Sequence, residues 1–103
     1  MAYHLYEAGT MDVDYTTSVE RDFQLEEVRL HLGSAGGANS FTVTIDSAQG
    51  DDYDIVVNTQ DMSAATDEHY QPTRPLWIRN GDQIRCEWTN GSHVQYGLEI
   101  IYR

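Results

Sequence analysis

Apolar and polar residues alternate with a period of two along most of this chain. In "DFQLEEVRLHL", Val28, Leu30 and Leu32 alternate with Glu27, Arg29 and His31, the pattern of a strand with one buried face. "FTVTIDS" repeats it, with Phe41, Val43 and Ile45 inward and Thr42, Thr44 and Asp46 outward. "YDIVVNT" places Tyr53, Ile55 and Val57 on one face, while Val56 breaks the polarity of the other. "PLWIR", "QIRCEW" and "YGLEIIYR" complete the set, and β-branched and aromatic residues concentrate in these runs, as strands prefer. No apolar stripe of helical spacing persists for three turns. Six or seven strands of this length imply two packed sheets. The predicted fold is therefore all-β, an antiparallel β-sandwich of jelly-roll or immunoglobulin-like kind. Residues 1–12 are expected as a short N-terminal arm and residues 13–103 as the single sandwich domain.

Turn chemistry separates the runs. "GSAGGANS" (33–40) reads as a flexible loop and "SAQGDD" (47–52) as a tighter one. Asn80-Gly81 suits the two positive φ angles of a type I′ hairpin turn, and "TNGSH" does similar work in a longer loop. These turns predict a three-stranded antiparallel meander of "PLWIR", "QIRCEW" and "VQYGLEIIYR". "DMSAATDEHYQPTRP" (61–75) is the longest irregular stretch, and Pro72 and Pro75 argue against regular pairing there.

A chain of 103 residues and 11.7 kDa suits one domain. Its folded surface should be roughly 5,900 Å² against roughly 17,000 Å² unfolded. That burial supports a core without disulfides or metals, and the single Cys86 has no internal partner. No apolar run approaches the length of a membrane helix, and "MAYHLYEAGT" lacks the regions of a secretory signal. Seventeen acidic residues against six arginines, with no lysine, give a formal net charge of −11. Phosphate neutralisation depends on basic residues, so neither nucleic acid nor an anionic membrane is an expected partner.

Candidate chemistry is sparse. Cys86 is the only possible thiol nucleophile, and the inward alternation of Ile84, Cys86 and Trp88 makes it a small core residue. His4, His31, His69 and His93 show no metal-ligand spacing, and His31 lies on the polar face of its strand. The acidic groups at "DVD", "DDYD" and "TDEH" lack the spacing of a calcium loop and read as a solvated rim. No base–nucleophile pair assembles, so no catalytic residue, metal or cofactor is expected. Asn90-Gly91-Ser92 matches a glycosylation acceptor but reads as turn chemistry. Seven tyrosines draw more interest. Tyr3, His4, Leu5 and Tyr6 form a candidate contact in the arm. Tyr70 in the long loop, with Trp77 out of phase with Leu76 and Ile78, forms a second.

From about Phe23 to Arg103 the strand-and-turn pattern resembles small accessory structural proteins of tailed bacteriophages. The likeness is carried by "FQLEEVRLHLGSAGGANSFTVTIDSAQGDDYDIVV", by "PLWIRNGDQIRCEWTNG" after an acidic loop, and by the closing "YGLEIIYR". It covers roughly four-fifths of the chain and includes no catalytic motif. The resemblance implies a non-enzymatic virion structural protein, made in the host cytoplasm, most simply a capsid decoration or cement protein. Its partners would be the major capsid protein, other virion proteins and further copies of itself. The alternatives are a carbohydrate-binding module, with Trp77 or Tyr70 stacking on a sugar, and a tail or head–tail connector component.

Overall fold

A computed structural model describes residues Met1–Arg103. The strands are β1 (Tyr3–Gly9), β2 (Val13–Thr16), β3 (Phe23–Leu32), β4 (Ser40–Asp46), β5 (Ile55–Asp61), β6 (Asp67–Tyr70), β7 (Leu76–Ile78), β8 (Gln83–Trp88) and β9 (Tyr96–Tyr102). A single 3-10 turn, Asp51–Tyr53, precedes β5. One sheet runs β1-β9-β3-β6, with β7 also on β3; the other runs β2-β8-β4-β5. All pairings are antiparallel.

β6 pairs with Val28–His31 and β7 with Phe23–Leu25, so the two share one edge of β3 as a single interrupted strand. The interruption carries Pro72 and Pro75, and proline is confined to sheet edges and breaks because it offers no ladder donor. Counted this way, each sheet has four strand positions. Successive strands change sheet at every step except the β4–β5 hairpin. That order is a jelly roll, one of the two sandwich kinds expected.

The expected meander is not formed. β7 pairs with β3, β8 lies between β2 and β4, and β9 lies between β1 and β3. The links 79–82 and 89–95 cross between sheets instead of closing hairpins. Accordingly only Gly81 has a positive φ (100°) at Asn80-Gly81, whereas a type I′ turn needs two. Three further expectations change. The stretch 61–75 holds the end of β5 and all of β6. Ile55 and Val56 are both exposed at the start of edge strand β5, before a bulge opposite Val43/Thr44. The loop 33–39 is exposed but tethered: Gly36 is buried and donates to the Met62 carbonyl (3.0 Å), while Trp88 Nε1 donates to the Ala38 carbonyl (3.1 Å).

Residues 1–12 are not an arm. β1 pairs with β9 through seven consecutive positions, from Tyr3↔Tyr102 to Gly9↔Tyr96. The segment has too few apolar residues for a core of its own, yet Leu5 packs against the shared core across from Ile100. That core lies between the sheets, around Phe23, Leu25, Val28, Leu30, Phe41, Ile84, Trp88 and Ile100. The accessible surface is 6039 Å², close to the value expected for this mass.

Candidate functional site

Because Val28, Leu30 and Leu32 are buried, β3 turns Glu27, Arg29 and His31 to the outer face of the first sheet. Register then sets their neighbours. Tyr6, Glu99, Arg29 and His69 lie in one row across β1, β9, β3 and β6. Ala8, Gly97, His31 and Asp67 form the next row, and His4, Ile101 and Glu27 lie on the other side. Neighbouring strands lie only about 4.8 Å apart, so these side chains meet.

They meet as a connected set of ion pairs. Arg29 Nη2 is 2.7 Å from Glu27 Oε2, and Arg29 Nη1 is 3.4 Å from Glu99 Oε1. Glu99 Oε2 is 2.7 Å from His4 Nδ1. His69 Nε2 contacts Glu27, and His31 Nδ1 contacts Asp67. Three of the four histidines thus face a carboxylate on one sheet. The His4 contact holds the Glu99 carboxyl below its ordinary range against the opposing effect of burial, helped by the Tyr6 hydroxyl and Arg29. Burial raises Glu27, but hydrogen bonds from Arg29 and His69 outweigh it and leave the group lowered. Asp67 is lowered by His31 first, then by Thr66.

Between these rows is a shallow cavity of about 640 Å³, bounded by side chains that include Tyr6, Glu27, Arg29, His31, His69 and Glu99. Gly97, one of its lining residues, leaves space there, since an added Cβ would meet nothing within 4 Å. No group of three His, Cys, Asp or Glu side chains is placed to hold a metal ion. His4, His31 and His69 are instead each matched with a carboxylate on a neighbouring strand.

Of the six residues singled out from the sequence, only His4 and Tyr6 share this site, with ring centroids 6.0 Å apart and planes 10° from parallel. Tyr3 and Leu5 lie on the opposite face of β1. Tyr3 stacks on Tyr102 (5.4 Å), with Arg21 over both rings. Tyr70 pairs opposite Val28 and packs against the core, so it is not an exposed contact. Trp77 is 65% exposed, opposite Gln24 at the far end of β3. Alternation marked Glu27, Arg29 and His31 as a polar face, but their convergence with His69, Asp67 and Glu99 is set by strand order.

The remaining candidates resolve into structure. Cys86 is fully buried, and burial, with the nearby charge of Glu87, pushes its thiol up to about 12. It is no nucleophile at neutral pH. Asn90 is 1% exposed. Its amide donates to the carbonyls of Thr10 (3.2 Å), Met11 (3.1 Å) and Val94 (2.8 Å), and its Oδ1 accepts from Val94 N–H (3.0 Å). Asp12 accepts from Asn90 N–H (2.8 Å), and Asp54 accepts from Ser47 N–H (2.8 Å), so parts of the acidic clusters serve the loops.

Neither a protein-family model nor a curated protein matches this chain. Among solved structures it is similar to the crystal structure of a mitogen derived from Yersinia pseudotuberculosis. The TM-score is 0.51 at 14% identity, covering 97% of this chain and 84% of that one. At that identity the likeness speaks for the fold alone, and it agrees with two packed antiparallel sheets.

Proposed function

We propose that this chain is a non-enzymatic structural protein of a bacteriophage virion, a capsid decoration protein docking among major capsid subunits and further copies of itself. The sequence resemblance motivates the virion, and one structural observation supports work by repeated surface contact. β5 is a seven-residue edge strand whose outer side pairs with nothing in the chain, and its first residues are exposed and apolar. Tyr53, Ile55 and Val56 are 67%, 57% and 54% exposed, flanked by Asp51, Asp52 and Asp54 but by no lysine, arginine or proline. Unpaired main-chain groups beside apolar side chains are what strand addition by a neighbouring subunit uses. Of the other edges, β6 and β7 are broken by two prolines and β2 has four residues, while β1 is the second unpaired seven-residue edge.

Copy number per purified particle, measured by quantitative mass spectrometry against the major capsid protein, tests the reading. Hundreds of copies support a place on the shell lattice. A few dozen or fewer would overturn decoration in favour of a vertex, connector or tail position. Absence from particles would overturn the virion assignment altogether.

A further inference from the structure

The outer face of the first sheet suggests a second capacity, independent of any place on a particle. We propose that the cavity lined by Tyr6, Arg29, Gly97 and Glu99 binds a neutral saccharide.

Small residues near the ends of two adjacent strands leave it open on one side. Ala8 and Gly97 pair directly, and nothing lies within 4 Å of where a Gly97 Cβ would stand. A glycine in a strand leaves room for close approach by a ligand or another backbone. The volume, about 640 Å³, falls within the range of ordinary ligand sites. From β1 to β6 the sheet spans three strand intervals, about 14 Å, enough for two or three sugar rings.

The lining decides the class of guest. Glu27, Glu99 and Asp67 are each already held by a donor of the chain itself, and Arg29 sits between the first two. An anion would face more carboxylates than cations. A cation would have to displace Arg29 or a histidine from its partner. What remains free is hydrogen-bonding capacity: further N–H groups of Arg29, second ring nitrogens of the histidines, and remaining carboxylate lone pairs. Donors and acceptors therefore alternate across the face, fixed in position by their mutual contacts before any guest arrives, which lowers the ordering cost of binding. Tyr6 adds a flat aromatic ring, 69% exposed, at the rim. A guest that supplies closely spaced hydroxyls, no charge and one apolar ring face is a pyranose.

The test uses the purified full chain on an array of neutral oligosaccharides, followed by NMR titration of the strongest hit. Saturable binding with shifts at Tyr6, Gly97 and Glu99 is expected. Gly97→Val should fill the cavity and Tyr6→Ala should remove the ring, each weakening binding tenfold or more at unchanged melting temperature. Valine suits a strand and its Cβ would meet nothing within 4 Å, so the variant is expected to fold. Trp77→Ala should leave affinity unchanged. Binding that survives both cavity variants would overturn the proposal, as would an array without a reproducible hit. Preferential capture of a hexa-arginine peptide, weakening with salt, would overturn it too and assign the face to a basic segment. A particle copy number of zero would leave this inference standing.

Discussion

Replacing Asn90 by alanine should be among the most destabilising polar substitutions in the chain. The side chain lies in the link between β8 and β9 and ties it to the β1–β2 link, joining the sheets at one end of the sandwich. Alanine removes three donor contacts from Nδ2 and the acceptor used by Val94 N–H. Each bond is worth about 0.5–1.5 kcal/mol net, and an orphaned buried group costs about 1–3 kcal/mol. Thr10 and Met11 are exposed, so water can take up their carbonyls and the sum falls below the simple total. The expected loss is about 2–4 kcal/mol, a large share of the roughly 5–15 kcal/mol that holds a small domain together. Urea unfolding of both proteins should show a lower midpoint at unchanged slope. Asn90→Asp should be at least as damaging, since it places a second oxygen where the three carbonyls now meet a donor. A loss below about 0.5 kcal/mol for alanine would refute the idea that this carboxamide joins the two links.

Deleting residues 1–9 should cost on the order of 3–5 kcal/mol, because it strips β1 from β9 and uncovers Leu5's neighbours; circular dichroism melts check it. Cys86 should resist a thiol reagent at pH 8 in the native protein and react at once in denaturant, given a thiol pushed up to about 12. Glu27, Glu99 and Asp67 are lowered in the folded state, so their stabilisation is complete above ordinary carboxyl values and is lost as pH falls through the lowered ones. Unfolding midpoints should therefore drop as pH is taken below about 4, and Glu99→Gln should flatten that dependence. Val56→Lys should leave the melting temperature within a degree or two while reducing occupancy on particles.

Local pattern was enough to set the class of this protein. Alternation at Val28, Leu30 and Leu32, and at Ile84, Cys86 and Trp88, placed the core residues, because a pleated strand sends successive side chains to opposite faces whatever its neighbours are. The same rule put Glu27, Arg29 and His31 outward and Cys86 inward. It could not say which strand lies beside which. Asn80-Gly81 suggested a hairpin, yet β7 and β8 belong to different sheets, since a short link can cross a sandwich as readily as reverse within a sheet. Nor could it show that "YHLYEAG" is a strand, because β1 depends on β9 for its apolar neighbours and for its main-chain partners. Tyr70 looked exposed in a proline-rich loop, but pairing with β3 turns it toward the core. The candidate site was out of reach for the same reason: Tyr6, Arg29, His69 and Glu99 are scattered along nearly the whole chain and become one row only when the jelly-roll order sets four strands side by side.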